Sequence, residues 1–287
     1  MKVKKAVIPA AGFGTRMLPA AKAVPKEMIC IAGRPAIHYI VKEAVDSGIE
    51  DILIITSRGK TAIEDYFDYS PELESRLEMS GKTDLLNEVH EIAEMANITF
   101  IRQKELKGLG HAVMHAKSFT GDEPFAVLLG DDIMRSDVPV TKQLIENAEK
   151  YECSCVGVKC VDSSDISKYS SLAVEPITDK LFDVKKLIEK PTPDKVLSNY
   201  AILGRYVLTG DIYSFLENAE PGFGGEIQLT DALNALCNKE RMLALEFEGE
   251  RFDSGNICGY MEASIQLALA HPEVSEWLKN YMKGLTL

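Results

Sequence analysis

Apolar residues fall into two recurring patterns along the chain: short continuous runs and helical spacings. The run KKAVIPAAG (4–12) reads as a short buried strand that ends in a glycine-rich turn. Pro9, Pro19, Pro25 and Pro35 punctuate the segment after this strand, so no continuous helix fits there. A loop of more than about 15 residues inside a compact domain is usually functional. Ile37, Ile40, Val41, Ala44 and Val45 then recur at i, i+3, i+4, i+7 and i+8, which predicts an amphipathic helix stopped by Gly48. DILIIT (51–56) is a second buried strand. Residues 61–96 are charged and helical in pattern, with breaks at Pro71 and Gly81. ITFI (98–101) predicts a strand, 109–118 a helix, and FAVLL (125–129) a strand running into Gly130, Asp131 and Asp132. Further strands are expected at 153–161, 171–175, 181–188, 204–208 and 243–247. A helical tail runs from Tyr260 to about Lys283, broken at His271-Pro272.

Strand, loop, helix, strand at the start is a βαβ unit, which implies a parallel sheet. The expectation is one α/β domain over 1–287 with a smaller β-rich second half and C-terminal helices. No repeat or linker is visible.

Charge changes the picture. The 287 residues carry a formal net charge of −12, which disfavours nucleic acid and anionic membranes as partners. No run of about 18 apolar residues is present, so no membrane span is expected, and the N-terminus lacks a signal-peptide pattern. A cytoplasmic protein is expected. Cysteines 30, 153, 155, 160, 237 and 258 form no C-x-x-C pair, so they read as reduced thiols and not as a zinc site. Against this acidic background, residues 1–26 hold six basic residues and no acid. Lys2, Lys4 and Lys5 read as a solvated N-terminus. Arg16 and Lys26 flank the glycine-rich segment Ala10-Ala11-Gly12-Phe13-Gly14-Thr15 and point to a polyphosphate site, because backbone N–H groups in such a turn approach phosphate closely. It is not a Walker A loop. It is not a dinucleotide fingerprint either, since Met17 stands where a third small residue is needed and the second strand ends without an acid. An oxidoreductase is thereby disfavoured.

The run from Pro9 to Met28, with its P-K-E-M ending, resembles the N-terminal signature of the bacterial UTP–glucose-1-phosphate uridylyltransferases, within the sugar nucleotidyltransferases. Further matches occur in order along the chain. They are Gln103 with KGLGHAV (107–113), LLGDDI (128–133), IEKP (188–191), SNYAILGRYV (198–207), GEIQLTD (225–231) and FDSG (252–255). The resemblance implies a Rossmann-like, GT-A-like mixed sheet flanked by helices. It divides the chain into a nucleotide-binding part (about 1–135), a sugar-binding part (about 136–255) and the helices of 256–287. It implies that Ala10, Ala11, Gly12, Gly14 and Thr15 hold the nucleotide, with Gln103 and Gly108 at the uracil edge. Asp131 and Asp253 would hold Mg²⁺. Tyr169, Ser170, Glu189, Ile202 and Gly204 would form the sugar site, and Arg16, Lys26 and Lys190 the catalytic cations. UTP and glucose 1-phosphate are the implied substrates, and a homodimer or homotetramer the implied assembly.

The chemistry suits these residue types. A phosphate monoester has a second pKa of about 6 and is already nucleophilic, so no Ser/His/Asp set is required. Positioning and charge neutralisation supply the catalysis. The chain departs from the family pattern at Lys168-Tyr169-Ser170, where the family usually has glycine third. It departs also at Gly255-Asn256 after Asp253, and in the stretch 29–35. Transfer to another base or sugar, such as from dTTP, and a weakly active regulatory paralogue are the alternatives these departures leave open.

Overall fold

A computed structural model describes residues 1–285, so the last two residues of the expected C-terminal part (256–287) lie outside the described residues. The principal strands are β1 (Lys5–Pro9), β2 (Asp51–Thr56), β3 (Asn97–Arg102), β4 (Phe125–Leu128), β5 (Asp132–Arg135), β6 (Ser154–Cys160), β7 (Ser170–Pro176), β8 (Leu181–Glu189), β9 (Tyr200–Leu208), β10 (Met242–Glu246) and β11 (Glu250–Asp253). The helices that matter here are α1 (Ala36–Asp46), α2 (Thr61–Phe67), α3 (Pro71–Met79), α4 (Thr83–Ala93), α5 (Leu109–Met114), α6 (Val140–Tyr151), α7 (Leu229–Cys237), α8 (Ile257–Ala270) and α9 (Ser275–Lys283).

Nine strands form one sheet in the order β3-β2-β1-β4-β9-β6-β10-β8-β7. β3, β2, β1 and β4 are parallel, as the βαβ opening requires. β9 joins antiparallel to β4 and carries the sheet into the second half. β5 and β11 form a separate antiparallel ribbon beside it. Alternate residues of the first strands feed opposite faces. Ala6, Ile8, Ile52 and Ile54 pack with α1 and α6, while Val7, Leu53 and Ile55 pack with α5 and α7. Burial on both faces is why these strands read as unbroken apolar runs.

The helices α6 and α7 and the ribbon β5–β11 go beyond the sequence expectation. The helix expected at 109–118 is interrupted after Met114, and the strand expected at 204–208 begins at Tyr200. Its pairing with β6 shifts register between Ile202 and Tyr206. Gly204 lies in this irregularity with φ +69, and a Cβ there would stand 2.1 Å from Asp132 Oδ2. The glycine is required by backbone conformation and by the carboxylate lying against it. Among the described residues no helix is long and apolar enough to cross a membrane.

Candidate active site

The loop after β1 is pinned from below. The Lys60 ammonium donates to the Ala10 carbonyl and to both carboxylate oxygens of buried Glu27, at 2.9 and 2.8 Å. Ser57 Oγ donates to the Ala11 carbonyl at 2.7 Å. Gly12 is exposed, with open space where a Cβ would stand, and Gly14 has φ +68 with its missing Cβ 3.2 Å from the Lys26 side chain. Thr15 begins a 3₁₀ turn that carries Arg16. Three such short turns and a two-residue hairpin span the proline-rich stretch in place of a helix.

Asp131 sits in the turn between β4 and β5, at the carboxyl end of a buried strand, where ligands of such sheets gather. The β5–β11 register pairs Asp253 with Asp132 and so brings the two predicted metal carboxylates together. One guanidinium links them: Arg16 Nη1 lies 3.0 Å from Asp253 Oδ2 and Nη2 lies 3.4 Å from Asp131 Oδ2. Lys26 Nζ adds a 2.6 Å bond to Asp131 Oδ2. Burial pulls the Lys26 ammonium down, but Asp131 and then Glu27 outweigh it and hold its pKa above the ordinary value. Burial likewise pushes the Asp131 carboxyl up, and Lys26, Arg16 and Arg251 together hold it below the usual range. Asp132 points elsewhere, to Arg251 Nη2 at 2.6 Å. Burial pushes its pKa up to about 6 against the pull of that arginine.

Beyond these charges opens a cavity of about 410 Å³. Arg16, Asp131 and Asp253 line it together with Tyr169, Ser170, Glu189, Lys190 and Ile202. Glu189 Oε2 accepts a 2.6 Å bond from Thr230 Oγ1, and its Oε1 lies 3.9 Å from Lys190 Nζ. Lys190 adopts φ +41, and its ammonium lies 5.2 Å from the centre of the Phe223 ring. Ser170 occupies an ordinary extended strand position opposite Glu189, without the positive φ that would penalise a side chain. Gly204 lies buried behind this wall, on the same strand as Ile202 and Tyr206, and its missing side chain makes room for Asp132. Gln103 is also outside the cavity, its Nε2 2.8 Å from His111 Nδ1. Gly108 has φ +101 and packs so closely on Glu226 and Ile227 that a Cβ would come within 2.7 Å of both.

Sequence reasoning missed Asp132, Tyr206, Thr230 and Arg251 on the cavity wall. Arg251 was the most readable of these, since it shares a strand face with Asp253 two residues on. Among the described residues no group of three or more His, Cys, Asp or Glu side chains is arranged to hold a metal. Asp131 and Asp253 are a two-carboxylate set.

Residues 5–269 match the nucleotidyl transferase family model. The chain is 50% identical to UTP–glucose-1-phosphate uridylyltransferase of Bacillus subtilis (strain 168), over 99% of this chain and 97% of that protein. It superposes on a UTP-bound UGPase from Acinetobacter baumannii with a TM-score of 0.92 at 37% identity, covering 99% of this chain and 100% of that one. A UDP-glucose pyrophosphorylase complexed with UDP-glucose gives a TM-score of 0.86 at 39% identity, over 94% and 100% of the two chains. By that family match over residues 5–269 and by identity along nearly its whole length, the chain belongs to the nucleotidyl transferase family, among the UTP–glucose-1-phosphate uridylyltransferases.

Proposed function

We propose that the protein transfers the uridylyl group of UTP to glucose 1-phosphate, giving UDP-glucose and pyrophosphate. The observation that carries this reading is the junction at Asp131. There the cations Arg16 and Lys26 and the carboxylate of Asp253 meet at the mouth of a cavity whose wall holds Glu189 and Lys190. UTP and UDP-glucose in the superposed relatives support the same pair of substrates.

The chain's own groups then divide the work. The loop from Ala10 to Thr15 offers backbone N–H groups to the triphosphate, and the side of the pocket near Gln103 and Gly108 receives the base. Lys190 holds the sugar phosphate so that one of its oxygens faces the α-phosphorus. Glu189, fixed by Thr230, accepts hydrogen bonds from sugar hydroxyls. Arg16 and Lys26 neutralise the charge that builds up as pyrophosphate leaves, the kind of stabilisation that is largest in a site shielded from water. The new P–O bond forms from the monoester oxygen and the old one to pyrophosphate breaks, with no proton to remove first.

Asp131 and Asp253 fit a hard divalent cation. Both present carboxylate oxygen, and both turn toward one positive group, the Arg16 guanidinium. Mg²⁺ is bound by one or two carboxylates with phosphate oxygens completing the shell, which suits a two-carboxylate set. When bound there, Mg²⁺ supplies charge neutralisation and a clamp on phosphate oxygens. Exposed Met261, Ile265, Trp277, Tyr281 and Met282 on α8 and α9 support self-association, as a homodimer or homotetramer. Six free cysteines, three of them exposed, support a reducing cytoplasmic setting.

The test is pyrophosphate release from UTP and glucose 1-phosphate with Mg²⁺, against dTTP and galactose 1-phosphate, with Asp131→Ala as control. Release with the first pair that disappears in the control supports the reading. Release confined to another pair corrects the substrate, and no release from any pair overturns the enzyme.

A further inference from the structure

Two hydroxyl groups on the cavity wall are buried yet unanswered. Ser170 is 5% exposed and Tyr206 7% exposed, and both line the cavity. Neither side-chain oxygen has a hydrogen-bond partner among the described residues. Neither is sealed off, because the only sealed and unpartnered side-chain polar atom among the described residues is Thr56 Oγ1. Thr56 apart, the other buried hydroxyls among the described residues are satisfied in the ordinary way. Tyr213 shares a 2.6 Å bond with Thr120, Ser171 donates to the Ser198 carbonyl at 2.7 Å, and Ser254 donates to the Asp131 carbonyl at 2.8 Å. Buried hydroxyls in folded proteins almost always find a partner. A pair left open on one wall of one cavity is a recognition surface waiting for a polar ligand.

Their placement says which part of the ligand they meet. Ser170 is the direct ladder partner of Glu189 across β7 and β8, so the two side chains share a sheet face. Tyr206 lies on β9 beyond Ile202, which also lines the cavity. Glu189 has one oxygen occupied by Thr230. We propose that Ser170 and Tyr206 are specificity-determining residues whose hydroxyls read hydroxyl groups of the sugar in the acceptor hexose 1-phosphate, an inference that rests on the uridylyl-transfer reading above.

A carboxylate can only accept a hydrogen bond, whereas a neutral hydroxyl both donates and accepts. Glu189 alone would therefore recognise sugar hydroxyls in one sense. The two hydroxyls supply the complementary sense and fix orientation. Tyr206 remains a donor: burial, and then the negative charges of Glu189 and Asp132, hold its phenol pKa above the ordinary value. Ser170 imposes no backbone strain, so its side chain is free to serve the ligand. A sugar that lacks the matching hydroxyl leaves a buried protein hydroxyl unpaired, and such sites reject the deficient analogue more strongly than they favour the correct one.

The experiment is a cycle between protein and substrate. Wild type, Tyr206→Phe and Ser170→Ala are each assayed with UTP and glucose 1-phosphate, and with the 2-, 3-, 4- and 6-deoxyglucose 1-phosphates. Each substitution is expected to lower kcat/KM for glucose 1-phosphate by about 3- to 10-fold, mainly through KM for the sugar, with KM for UTP unchanged. Against one deoxy sugar the same substitution should have no effect, because the partner hydroxyl is already missing, and that position should differ between the two variants. Equal losses with every sugar, or no loss with any, overturn the proposal. If Tyr206→Phe fails to fold, the Ser170→Ala series decides alone: coupling at one hydroxyl sustains the proposal and coupling at none overturns it. Failure of the wild type to turn over any hexose 1-phosphate is a separate result, which refutes the uridylyl-transfer reading and this inference with it.

Discussion

Arg205 donates from Nη2 to the main-chain carbonyl of Asp132 at 2.6 Å, with its side chain fully enclosed. The same guanidinium meets Glu43 Oε2 at 2.6 Å, and Glu43 Oε1 in turn accepts from the backbone and hydroxyl of Thr141. A buried charge pair thus ties α1, α6 and β9 to the turn that carries Asp131. Removing one partner of such a pair strands the other. Arg205→Met is expected to lose about 3 to 5 kcal/mol of stability. The double variant with Glu43→Leu should lose less than the two single losses added together. Urea unfolding of all four proteins checks this, and a loss below about 1 kcal/mol for Arg205→Met would mean that the pair does not secure the turn.

Lys26 lies 2.6 Å from Asp131 and is largely shielded from solvent. Lys26→Met keeps the stem of the side chain and deletes the charge. Its kcat should fall by about 10²- to 10³-fold with the fold retained, as initial rates at saturating substrates and a circular dichroism spectrum would show. A kcat close to wild type would move the stabilisation of pyrophosphate elsewhere.

Thr230 fixes Glu189 through a 2.6 Å bond. Thr230→Val preserves the shape and removes the donor. KM for glucose 1-phosphate is expected to rise by about 3- to 10-fold, while KM for UTP stays as it is. Equal changes in both constants would show a general disturbance of the pocket and not a loosened carboxylate.

His38 is buried, and its ring is neutral for a geometric reason. Arg34 Nη1 donates to Nε2 at 2.7 Å, so the ring proton sits on Nδ1, 3.0 Å from the Tyr66 hydroxyl. Burial, then Arg34 and Lys42, lowers its pKa to about 4. An unfolded histidine titrates near about 6.5. Between these values the unfolded chain binds a proton that the folded chain refuses. The stabilisation is complete above about pH 6.5 and declines as the pH falls toward about 4, by on the order of 2 kcal/mol after allowance for solvent screening. Urea midpoints at pH 7.5, 6.0 and 5.0 should fall more steeply for wild type than for His38→Gln. Parallel slopes would rule this histidine out as a source of acid sensitivity.

Local signals were legible in the sequence and long-range ones were not. β1, β2 and β4 announce themselves because burial on both faces leaves no polar interruption, and α1 because its apolar spacing is regular. α6 buries Val140, Leu144, Ile145 and Ala148, a stripe diluted by charged neighbours that face solvent. α7 starts straight after a glycine-rich segment, which hid its stripe of Leu229, Leu233 and Leu236. In the site, Arg16, Lys26, Asp131 and Asp253 belong to short motifs and could be read one motif at a time. Thr230 holds Glu189, 41 positions earlier, and Asp132 pairs with Arg251, 119 positions later, so neither was legible from its own neighbourhood. The reason Gly204 must be glycine was hidden in the same way: its backbone angle and the carboxylate packed against it depend on a ribbon that no local pattern foretells.

β9 belongs to both halves of the sheet at once. Its Val207 pairs with Ala126 on the β4 side and with Cys155 on the β6 side, while Ile202, nearer its start, lines the cavity. Even with its register shift at Gly204, a strand bonded along both edges cannot swing apart from its neighbours. At about 3.3 Å for each residue along a strand, the pairing on both edges fixes how far the Ile202 stretch of the wall stands from the end of β4 that leads to Asp131. β9 is thus a ruler shared by the two halves, and the distance from the Asp131 turn to the cavity wall is built into the sheet and not into a loop.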